Sequence, residues 1–566
     1  MDVCLSDLDN ELKSCLKGLQ DRFAMQWKGR EKEALIALVR VLDHVSVAAL
    51  LGLDNDDAEG TTPKEALSTT FVCMGAAAAL RPLLSAVKGT SGGVPWGASS
   101  LPIQNYFYSY LHACGELTFL RRKAALSRYG LASLESEGSR QFSIKTRSSI
   151  PERTFLAALQ NLKAEQVKSE GYRHSHAEWS RIYDRMEKYV DTPDGWFIRY
   201  DNDWEIVSIY QDEARRYGRR FREAEALPDD VVIGDRSFGE WKHACDQALG
   251  RVLAHVDFAQ LLLKKAKNIS FSDVLTIFAR RDDVRQVWEE AGIPSKQVSA
   301  TMAALTLESE GLDDWENAFE MPTPFHVDLG KDFVLLPCFG ALSNPYFSLF
   351  RHLRQLYRTD WDRGVDRREE VFRADLARSF PAPRFFVPPR GFRLCRTNGS
   401  VLTDIDAIII DRQCGSVALV QLKWHDIFGF SLAERESRKR NIGKANEWTA
   451  KVLEWVGGRS SQEILKQLQI DLAVSDRPPV IYVIARYMAR FSGDEDQDTR
   501  AHWMGWPEVQ SALLATAVEA DPLALIPQHV AHQEKRYGSP EFVDMKFQFP
   551  GLEVDLKMYA SRYVPE

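Results

Sequence analysis

Apolar side chains recur three and four positions apart over most of the first 320 residues, which is the spacing of amphipathic helices. Paired charges such as Glu213 with Arg216 stand between them and are typical of solvated helix faces. A glycine- and serine-rich stretch interrupts the pattern at 88–103 and is typical of a loop. We therefore expect a largely α-helical region over residues 1–320, with 88–103 as the point where it would divide into two subdomains.

The pattern changes in the second half of the chain. Residues 321–359 predict a β-hairpin followed by a connecting helix, because alternating apolar residues flank Gly330 and a helical stripe follows them. Residues 360–490 read as helix, strand, hairpin, helix and strand, with Pro388 and Pro389 breaking the first strand. Residues 491–566 hold a helix and one or two strands, and we expect them to extend the preceding domain and pack on it.

The most informative stretch is the hairpin within residues 403–424. Two apolar segments, Ile405–Ile410 and Val417–Val420, flank a turn that contains Gly415. Symmetry about the turn places Asp406 opposite Gln421 and Asp404 opposite Lys423, although a bulge would shift this register by one residue. Residues two apart on a strand share a face, so the four polar groups are predicted to converge at one edge of the sheet.

A carboxylate, a carboxamide and an ammonium at one strand end can together bind a hard cation and an anion. Mg²⁺ prefers oxygen ligands and takes few carboxylates from protein, so Asp406 and the amide oxygen of Gln421 are candidate ligands. Lys423 cannot be a ligand, but its ammonium can orient water or neutralise charge on a phosphate. The alternative is purely structural: strand-edge carboxylates bonded to backbone, a satisfied buried amide and an ordinary strand-end lysine.

The motif D-(x14)-Q-x-K, formed by Asp406, Gln421 and Lys423, resembles the PD-(D/E)xK nuclease superfamily. The nearest likeness is the branch of Mrr-type and Holliday-junction-resolvase-like nucleases, and it covers roughly residues 360–490. Two features depart from the family pattern: the proline is absent, and Gln421 stands where an acidic residue is usual. The resemblance implies a restriction-endonuclease-like α/β domain, with a central mixed sheet flanked by helices and an α-β-β-β-α-β core. It also implies a metal-binding glutamate on the preceding helix, for which Glu369 is the candidate and Glu370 the competing choice.

A basic helix is predicted to follow the motif, over residues 432–456. Its candidate nucleic-acid contacts are Arg438, Lys439, Arg440 and Lys444, although a charged helix face is more often simply solvated.

Composition limits where a polyanion could bind. The chain has 566 residues and a net charge of −8, so no global field attracts nucleic acid and any binding needs a local basic patch. Eight scattered cysteines without metal-ligand spacing favour a reducing cytosol over a disulfide framework. The acidic start lacks a signal-peptide core, and the longest apolar run, 71–80, is too short to span a bilayer. We expect a soluble cytoplasmic protein with no membrane partner.

These observations lead to a first hypothesis of a DNA endonuclease that depends on Mg²⁺, with Mn²⁺ as the alternative ion. By resemblance, large helical proteins with such a domain are often bacterial or antiviral defence effectors, whose helical half would sense, regulate or assemble. A second hypothesis is a catalytically inactive nuclease-like fold that binds nucleic acid or acts as a scaffold, and a third is a ribonuclease. A homo-oligomer or a partner protein is compatible with each of them.

Overall fold

The structure is a computed structural model that describes residues 2–52, 62–138, 140–169, 174–193, 195–396, 398–425, 431–493, 497–536 and 541–560. The helices of the N-terminal region are α1 (Asp2–Gln26), α2 (Glu31–Leu50), α3 (Ser68–Val87), α4 (Leu101–Ala125), α5 (Ile150–Ser169), α6 (His176–Tyr189), α7 (Trp204–Gly218), α8 (Phe238–Lys265), α9 (Phe271–Leu275), α10 (Arg281–Glu290), α11 (Ser295–Leu305) and α12 (Leu312–Ala318). The strands of this region are β1 (Ala132–Gly138), β2 (Gln141–Thr146), β3 (Val190–Asp191), β4 (Arg199–Tyr200), β5 (Val232–Ile233), β6 (Arg236–Ser237), β7 (Ile277–Arg280) and β8 (Thr306–Leu307). The N-terminal half is thus mainly helical, as the spacing of apolar residues predicts.

The first helices pack unusually closely. A Cβ atom on Gly115 of α4 would lie 1.7 Å from the Phe71 carbonyl oxygen of α3, and one on Gly75 would lie 2.1 Å from the Leu111 carbonyl oxygen. The two backbones therefore touch at a glycine pair, which no larger residue allows. Helix α3 lies within a helix, Glu65–Val87, that is long and apolar enough to cross a membrane, but most of its apolar window is buried inside the protein.

The predicted connecting hairpin is formed by β9 (His326–Asp328) and β10 (Phe333–Leu336), which pair antiparallel around the turn containing Gly330. These strands complete a four-stranded sheet of order β7-β10-β9-β8. The helices that follow are α13 (Phe339–Ser343), α14 (Phe347–Leu356) and α15 (Arg358–Asp366). Phe350 and Leu353 of α14 are buried in the same core as α7 and α8, so this connector belongs to the packing of the helical region.

The elements of the C-terminal half are α16 (Arg368–Ser379), β11 (Phe385–Phe386), β12 (Phe392–Cys395), β13 (Val401–Ile405), β14 (Ala407–Asp411), β15 (Val417–Lys423), α17 (Leu432–Gly443), α18 (Ala445–Val456), α19 (Ser461–Gln467), β16 (Val480–Ala485), β17 (His502–Gly505), α20 (Trp506–Thr516) and α21 (Pro522–Lys535). Five of these strands form a mixed sheet of order β11-β14-β15-β16-β17 at the centre of this half. β14 is antiparallel to β11 and β15, whereas β15, β16 and β17 run parallel. Both faces are covered, one by α17–α19 and the other by α16, α20 and α21, which explains the continuous apolar runs of β14–β16.

The segment 491–566, expected to pack on the preceding domain, is divided between two parts of the molecule. Strand β17 and helices α20 and α21 join the five-stranded sheet and its core. The last hairpin, β18 (Glu541–Phe549) and β19 (Leu552–Ala560), instead adds to β1 and β2 in a sheet of order β1-β2-β19-β18. Val554 and Leu556 of β19 are buried in the core of α1–α4 with Ile144 of β2. Sequence periodicity could not reveal this pairing, because it joins strands about four hundred positions apart.

Candidate functional site

The predicted hairpin exists, and its register is the predicted one. β14 pairs with β15 so that Ala407 lies opposite Val420 and Ile410 opposite Val417, which are the pairs required by symmetry about the turn. The turn is set by Asp411, whose carboxylate accepts hydrogen bonds from the N–H groups of Gln413 (2.8 Å) and Cys414 (3.3 Å). Gly415 follows with a φ of +73°, a conformation that glycine adopts without strain.

Asp406 occupies the bend at which the chain leaves this sheet. Its N–H still donates to the Val420 carbonyl at 3.1 Å. The next N–H of β15 that faces this strand, that of Leu422, donates to Asp406 Oδ2 at 2.7 Å instead of to a backbone carbonyl. The preceding strand, β13, pairs with β12 in a separate two-stranded sheet. Because Asp404 lies opposite Arg393 in that small sheet, the predicted pairing of Asp404 with Lys423 is wrong.

Gln421 and Lys423 lie on one face of the sheet. On β15, the alternate residues Val417 and Leu419 belong to the core beneath α17–α19, and Gln421 and Lys423 continue that alternation to the strand end. Asp406 stands at the bend before β14, and both the Lys423 ammonium and the Glu369 carboxylate act on its carboxyl. The convergence of Asp406, Gln421 and Lys423 on one ion site stays a prediction.

Burial dominates the chemistry of Asp406, which is only 5% exposed. Burial and, to a smaller extent, the neighbouring Glu369 carboxylate raise the pKa of its carboxyl to about 7, although the Leu422 N–H and the Lys423 ammonium oppose the shift. The two neighbours named in this balance, Glu369 and Lys423, stand close enough to act on one carboxyl. A cation arriving beside Asp406 would favour the ionised form, because it would compensate the charge that burial makes unfavourable.

Gln421 is a buried amide with an unmet acceptor. Its side chain is 7% exposed, and its Oε1 atom is buried without a hydrogen-bond partner among the described residues. An unsatisfied buried carbonyl oxygen costs on the order of 1–3 kcal/mol, so such an atom calls for a physical explanation. A bound cation would give Gln421 Oε1 the partner that the described part of the chain does not provide.

Glu369 approaches the site from the opposite side of the sheet. Helix α16 packs there through Phe372 and Leu376, and Glu369 lies half exposed in its first turn. Its carboxylate is paired with Arg373, whose Nε donates to the Asp406 carbonyl oxygen at 2.5 Å. The competing Glu370 is also exposed in this turn. Arg373 was not predicted from sequence, because one arginine in a charged helix turn carries no distinguishing signal.

Arg486 is a second functional candidate that sequence reasoning missed. It directly follows β16, its N–H donates to the Lys423 carbonyl at 2.7 Å, and its guanidinium lies 4.7 Å from the centre of the Trp424 ring. It also pairs with Asp375 at 2.5 Å and with Glu225 of the N-terminal region at 2.8 Å. A signal was present: Arg486 is the first polar residue after a buried strand, the same kind of position that Lys423 holds.

Only part of the predicted basic face is available to a ligand from solvent. The single helix expected over 432–456 is two helices, α17 and α18, and Lys444 stands at their junction. Lys439 donates to the Gly493 carbonyl at 2.8 Å, and Arg438 lines a cavity between the segments of the chain that meet there. Both side chains are half-buried, whereas Arg440 and Lys444 are exposed. Arg440 and Lys444 are therefore the candidate nucleic-acid contacts that face solvent.

The oxygen donors present fit a weakly held hard cation. Within the described ranges, no group of three or more His, Cys, Asp and Glu side chains could hold a metal ion. The donors available are the Asp406 carboxylate and Gln421 Oε1, with Glu369 as a half-exposed third. Mg²⁺ commonly takes only one or two carboxylates from a protein and completes its shell with water and phosphate oxygens, so this donor set suits Mg²⁺ better than Zn²⁺ or Ca²⁺.

Comparisons with known proteins found no relative. No family model matches the chain, and neither a curated protein nor a solved structure matches it significantly.

Proposed function

We propose that this protein is a metal-dependent nuclease that hydrolyses DNA phosphodiesters at the site formed by Asp406, Gln421 and Lys423. The observation that carries the proposal is the unpartnered, buried Gln421 Oε1 beside an Asp406 carboxyl that burial disfavours as an anion, with Lys423 on the same sheet face. A polar cluster of this kind destabilises the fold unless it binds something.

The order of elements supports the same proposal. Helix α16 is followed by β11, β14 and β15, then by the α17–α19 group and by β16, which is parallel to β15. This order agrees with the α-β-β-β-α-β core of the PD-(D/E)xK nucleases that the motif resembles. The β12–β13 hairpin is an insertion into that order and leaves the sheet at Asp406.

Each residue has a role that follows from its position. Asp406 is held in place by the Leu422 N–H and presents a carboxylate to the cation, and Gln421 adds a neutral oxygen. When bound, Mg²⁺ would supply Lewis-acid stabilisation of the charge that develops on the phosphate. Lys423, at the end of β15, orients the attacking water and neutralises part of the same charge. Arg373 fixes the bend at Asp406 and keeps Glu369 beside it.

Substrate contacts would come from a local patch, because the chain carries a net charge of −8. Arg440 is exposed on α17 and Lys444 is exposed at the junction of α17 with α18, on the helical layer that covers one face of the sheet, and both are suited to phosphate contacts. Neutralising both should weaken DNA binding and reduce its salt dependence, as expected for phosphate contacts.

Incubation with supercoiled plasmid, linear DNA and structured RNA, each with Mg²⁺, Mn²⁺ or EDTA, tests the proposal. We expect cleavage of DNA by the wild type with either metal, none in EDTA, and at least a hundredfold loss in Lys423→Ala. Lys466→Ala, which changes an exposed lysine on α19, is the matched control and should cleave like the wild type. Preferential cleavage of RNA would identify a ribonuclease, and cleavage by Lys423→Ala at the wild-type rate would refute the assigned site.

A nucleic-acid-binding module without catalysis is the second candidate function. It is favoured by the structural use of Asp406, whose carboxylate already serves the Leu422 N–H, and by the absence of a three-ligand group among the described residues. Salt-sensitive DNA binding by the wild type without cleavage under any metal condition would select this candidate.

A further inference from the structure

A cavity of about 430 Å³ lies where four distant segments of the chain meet. Its walls come from α4, from the β2–α5 connection and the start of α5, from the segment after β16, and from α17, and Tyr559 of β19 closes one side. The volume falls within the range of small-molecule sites in proteins, roughly 300–1,000 Å³. None of the groups assigned above to phosphodiester cleavage lines it.

The polar wall of the cavity is strongly basic. Arg435 is paired with Glu152, the one carboxylate among the described lining residues. The other basic side chains on the wall are Arg122, Lys123, Arg147, Arg153, Arg222 and Arg438. Some have acidic neighbours outside the cavity, such as Glu223 at 3.6 Å from Arg222 and Glu434 at 4.0 Å from Arg438. For Lys123 and Arg147 the described part of the chain provides no ion-pair partner.

Two further observations indicate that the Lys123 ammonium and the Tyr559 hydroxyl lack an ionic or hydrogen-bond partner among the described residues. Burial and the nearby Arg122 and Arg153 guanidiniums together lower the pKa of Lys123 to about 8. Tyr559 is 4% exposed, and its hydroxyl is buried without a hydrogen-bond partner among the described residues. Like charges held together beside an unmet hydroxyl are unfavourable in the empty protein, and an anion would relieve both costs.

The rest of the lining is apolar and comes from Phe119, Leu126, Leu131, Leu156, Met488 and Phe491. Its two aromatic rings lie beneath basic side chains: the Lys123 ammonium is 4.8 Å from the centre of the Phe119 ring, and the Arg435 guanidinium is 5.3 Å from that of Phe491. A bare inorganic anion would use only the basic side, whereas a ligand with a phosphorylated end and a flat, weakly polar body would use both. Nucleotides have this combination, because each joins phosphate groups to a flat heterocyclic base that can contact apolar side chains.

We propose that this basic cavity binds a nucleotide-sized, phosphorylated small molecule, with its phosphates at Lys123 and Arg147 and its base against the apolar lining residues Leu126, Leu131, Leu156 and Met488. The cavity also touches the edge that carries the candidate catalytic residues: His425 lies two residues beyond Lys423, and Tyr487 lies two residues beyond the end of β16. Crevices beyond the carboxyl ends of parallel strands are where ligands bind in open α/β sheets.

Isothermal titration calorimetry of the full chain with ATP, adenosine and tripolyphosphate tests the binding. EDTA is present throughout, so that ATP cannot bind through a metal at Asp406. We expect ATP to bind at least tenfold more tightly than either adenosine or tripolyphosphate. Equal binding of tripolyphosphate would overturn the nucleotide assignment, equal binding of adenosine would overturn the phosphate assignment, and no binding of ATP would overturn the site.

Variants locate the binding. Lys123→Gln/Arg147→Gln should weaken ATP binding at least tenfold, while the matched pair Lys451→Gln/Lys466→Gln, outside the cavity, should leave it unchanged. Leu156→Trp, which fills the cavity without altering a charge, should also remove ATP binding, and the thermal unfolding of each variant shows whether it folds. Wild-type affinity in both the double charge variant and Leu156→Trp would overturn the location.

Control of cleavage by the ligand is a separate consequence that rests on the proposed nuclease function. ATP should change the cleavage rate of the wild type severalfold and leave the rate of Lys123→Gln/Arg147→Gln unchanged. An equal effect on both would overturn the regulatory role, while the calorimetric result stands by itself.

Discussion

At the scale of single residues, Asp406 and Gln421 are costly to the fold in different ways. Asp406 is a buried carboxyl whose pKa is raised to about 7, and Gln421 has a buried oxygen with no partner in the described chain. Residues selected for stability alone rarely show either feature, whereas binding sites commonly do. Substitutions that keep the size of a side chain but remove its charge or its oxygen atom can therefore separate effects on stability from effects on cleavage.

Asp406→Asn should abolish cleavage while preserving the fold. The Asn Oδ1 atom can still accept the Leu422 N–H, so the bend at residue 406 keeps its hydrogen bond, but the anion that would hold the cation is gone. We expect at least a hundredfold loss in the cleavage rate, with a far-UV circular dichroism spectrum like that of the wild type. A variant that unfolds would show that the carboxylate is mainly structural.

Gln421→Met should stabilise the protein by about 1 kcal/mol, because it replaces a buried, unsatisfied oxygen by an apolar side chain of similar length. The same change should reduce cleavage at limiting Mg²⁺, since one oxygen donor is lost. Denaturant unfolding in EDTA and cleavage across a Mg²⁺ titration measure the two effects. Lower stability together with unchanged cleavage would contradict the role given to this amide.

At the scale of elements, a strand register that is set by a nearby turn was predictable from the sequence, whereas a change of strand partner was not. The β14–β15 register follows from turn residues and short apolar runs, all within one short segment, and it is as predicted. The pairing of β13 with β12 depends on a bend at Asp406 that no local sequence pattern indicates. The predicted pairing of Asp404 with Lys423 was therefore wrong. The break between α17 and α18 at Lys444 was missed because its local signal, the single Gly443, is tolerated inside helices and does not by itself predict a helix end.

The contact between α3 and α4 gives a prediction at this scale. Gly115→Ala would place a methyl group 1.7 Å from the Phe71 carbonyl oxygen, so the helices must separate, and we expect destabilisation of about 1–3 kcal/mol or more. Gly18→Ala on α1 is the control, since its nearest contact would be an arginine side chain at 3.6 Å and alanine favours the helix. Equal effects of the two changes on the melting temperature would contradict the close helix contact.

At the scale of the whole molecule, charged groups that are half-buried or buried join segments that lie far apart in the sequence. Glu225 of the N-terminal region pairs with Lys163 of α5 at 2.6 Å and with Arg486 beyond β16 at 2.8 Å. Burial raises the pKa of Glu225, but these two cations outweigh it and bring the pKa to about 2. Asp43 of α2 accepts the Cys338 and Phe339 N–H groups at 2.7 and 2.8 Å. Such links, like the β2–β19 pairing, could not be predicted from sequence because each partner resembles an ordinary surface residue.

Asp43 makes stability depend on pH. Burial raises its pKa to about 7 from an ordinary value near 3.8, so the folded state keeps a proton that the unfolded chain loses. The resulting stabilisation is complete below pH 4, falls as the pH rises from about 4 to 7, and is absent above 7. The melting temperature of Asp43→Asn, relative to that of the wild type, should therefore be higher at pH 8 than at pH 5 when both are measured by calorimetry. A constant difference across this range would contradict the assignment.

The single-turnover cleavage rate of plasmid DNA as a function of Mg²⁺ concentration tests the site at Asp406, Gln421 and Lys423 most directly. If Asp406, Gln421 and Lys423 form one metal-dependent site, the wild-type rate rises from zero in EDTA to a plateau. Gln421→Met then requires more Mg²⁺ to reach its plateau, and Asp406→Asn and Lys423→Ala remain at least a hundredfold slower at every concentration. A rate that is independent of Mg²⁺, or that is unchanged by both Asp406→Asn and Lys423→Ala, would show that the chemistry lies elsewhere.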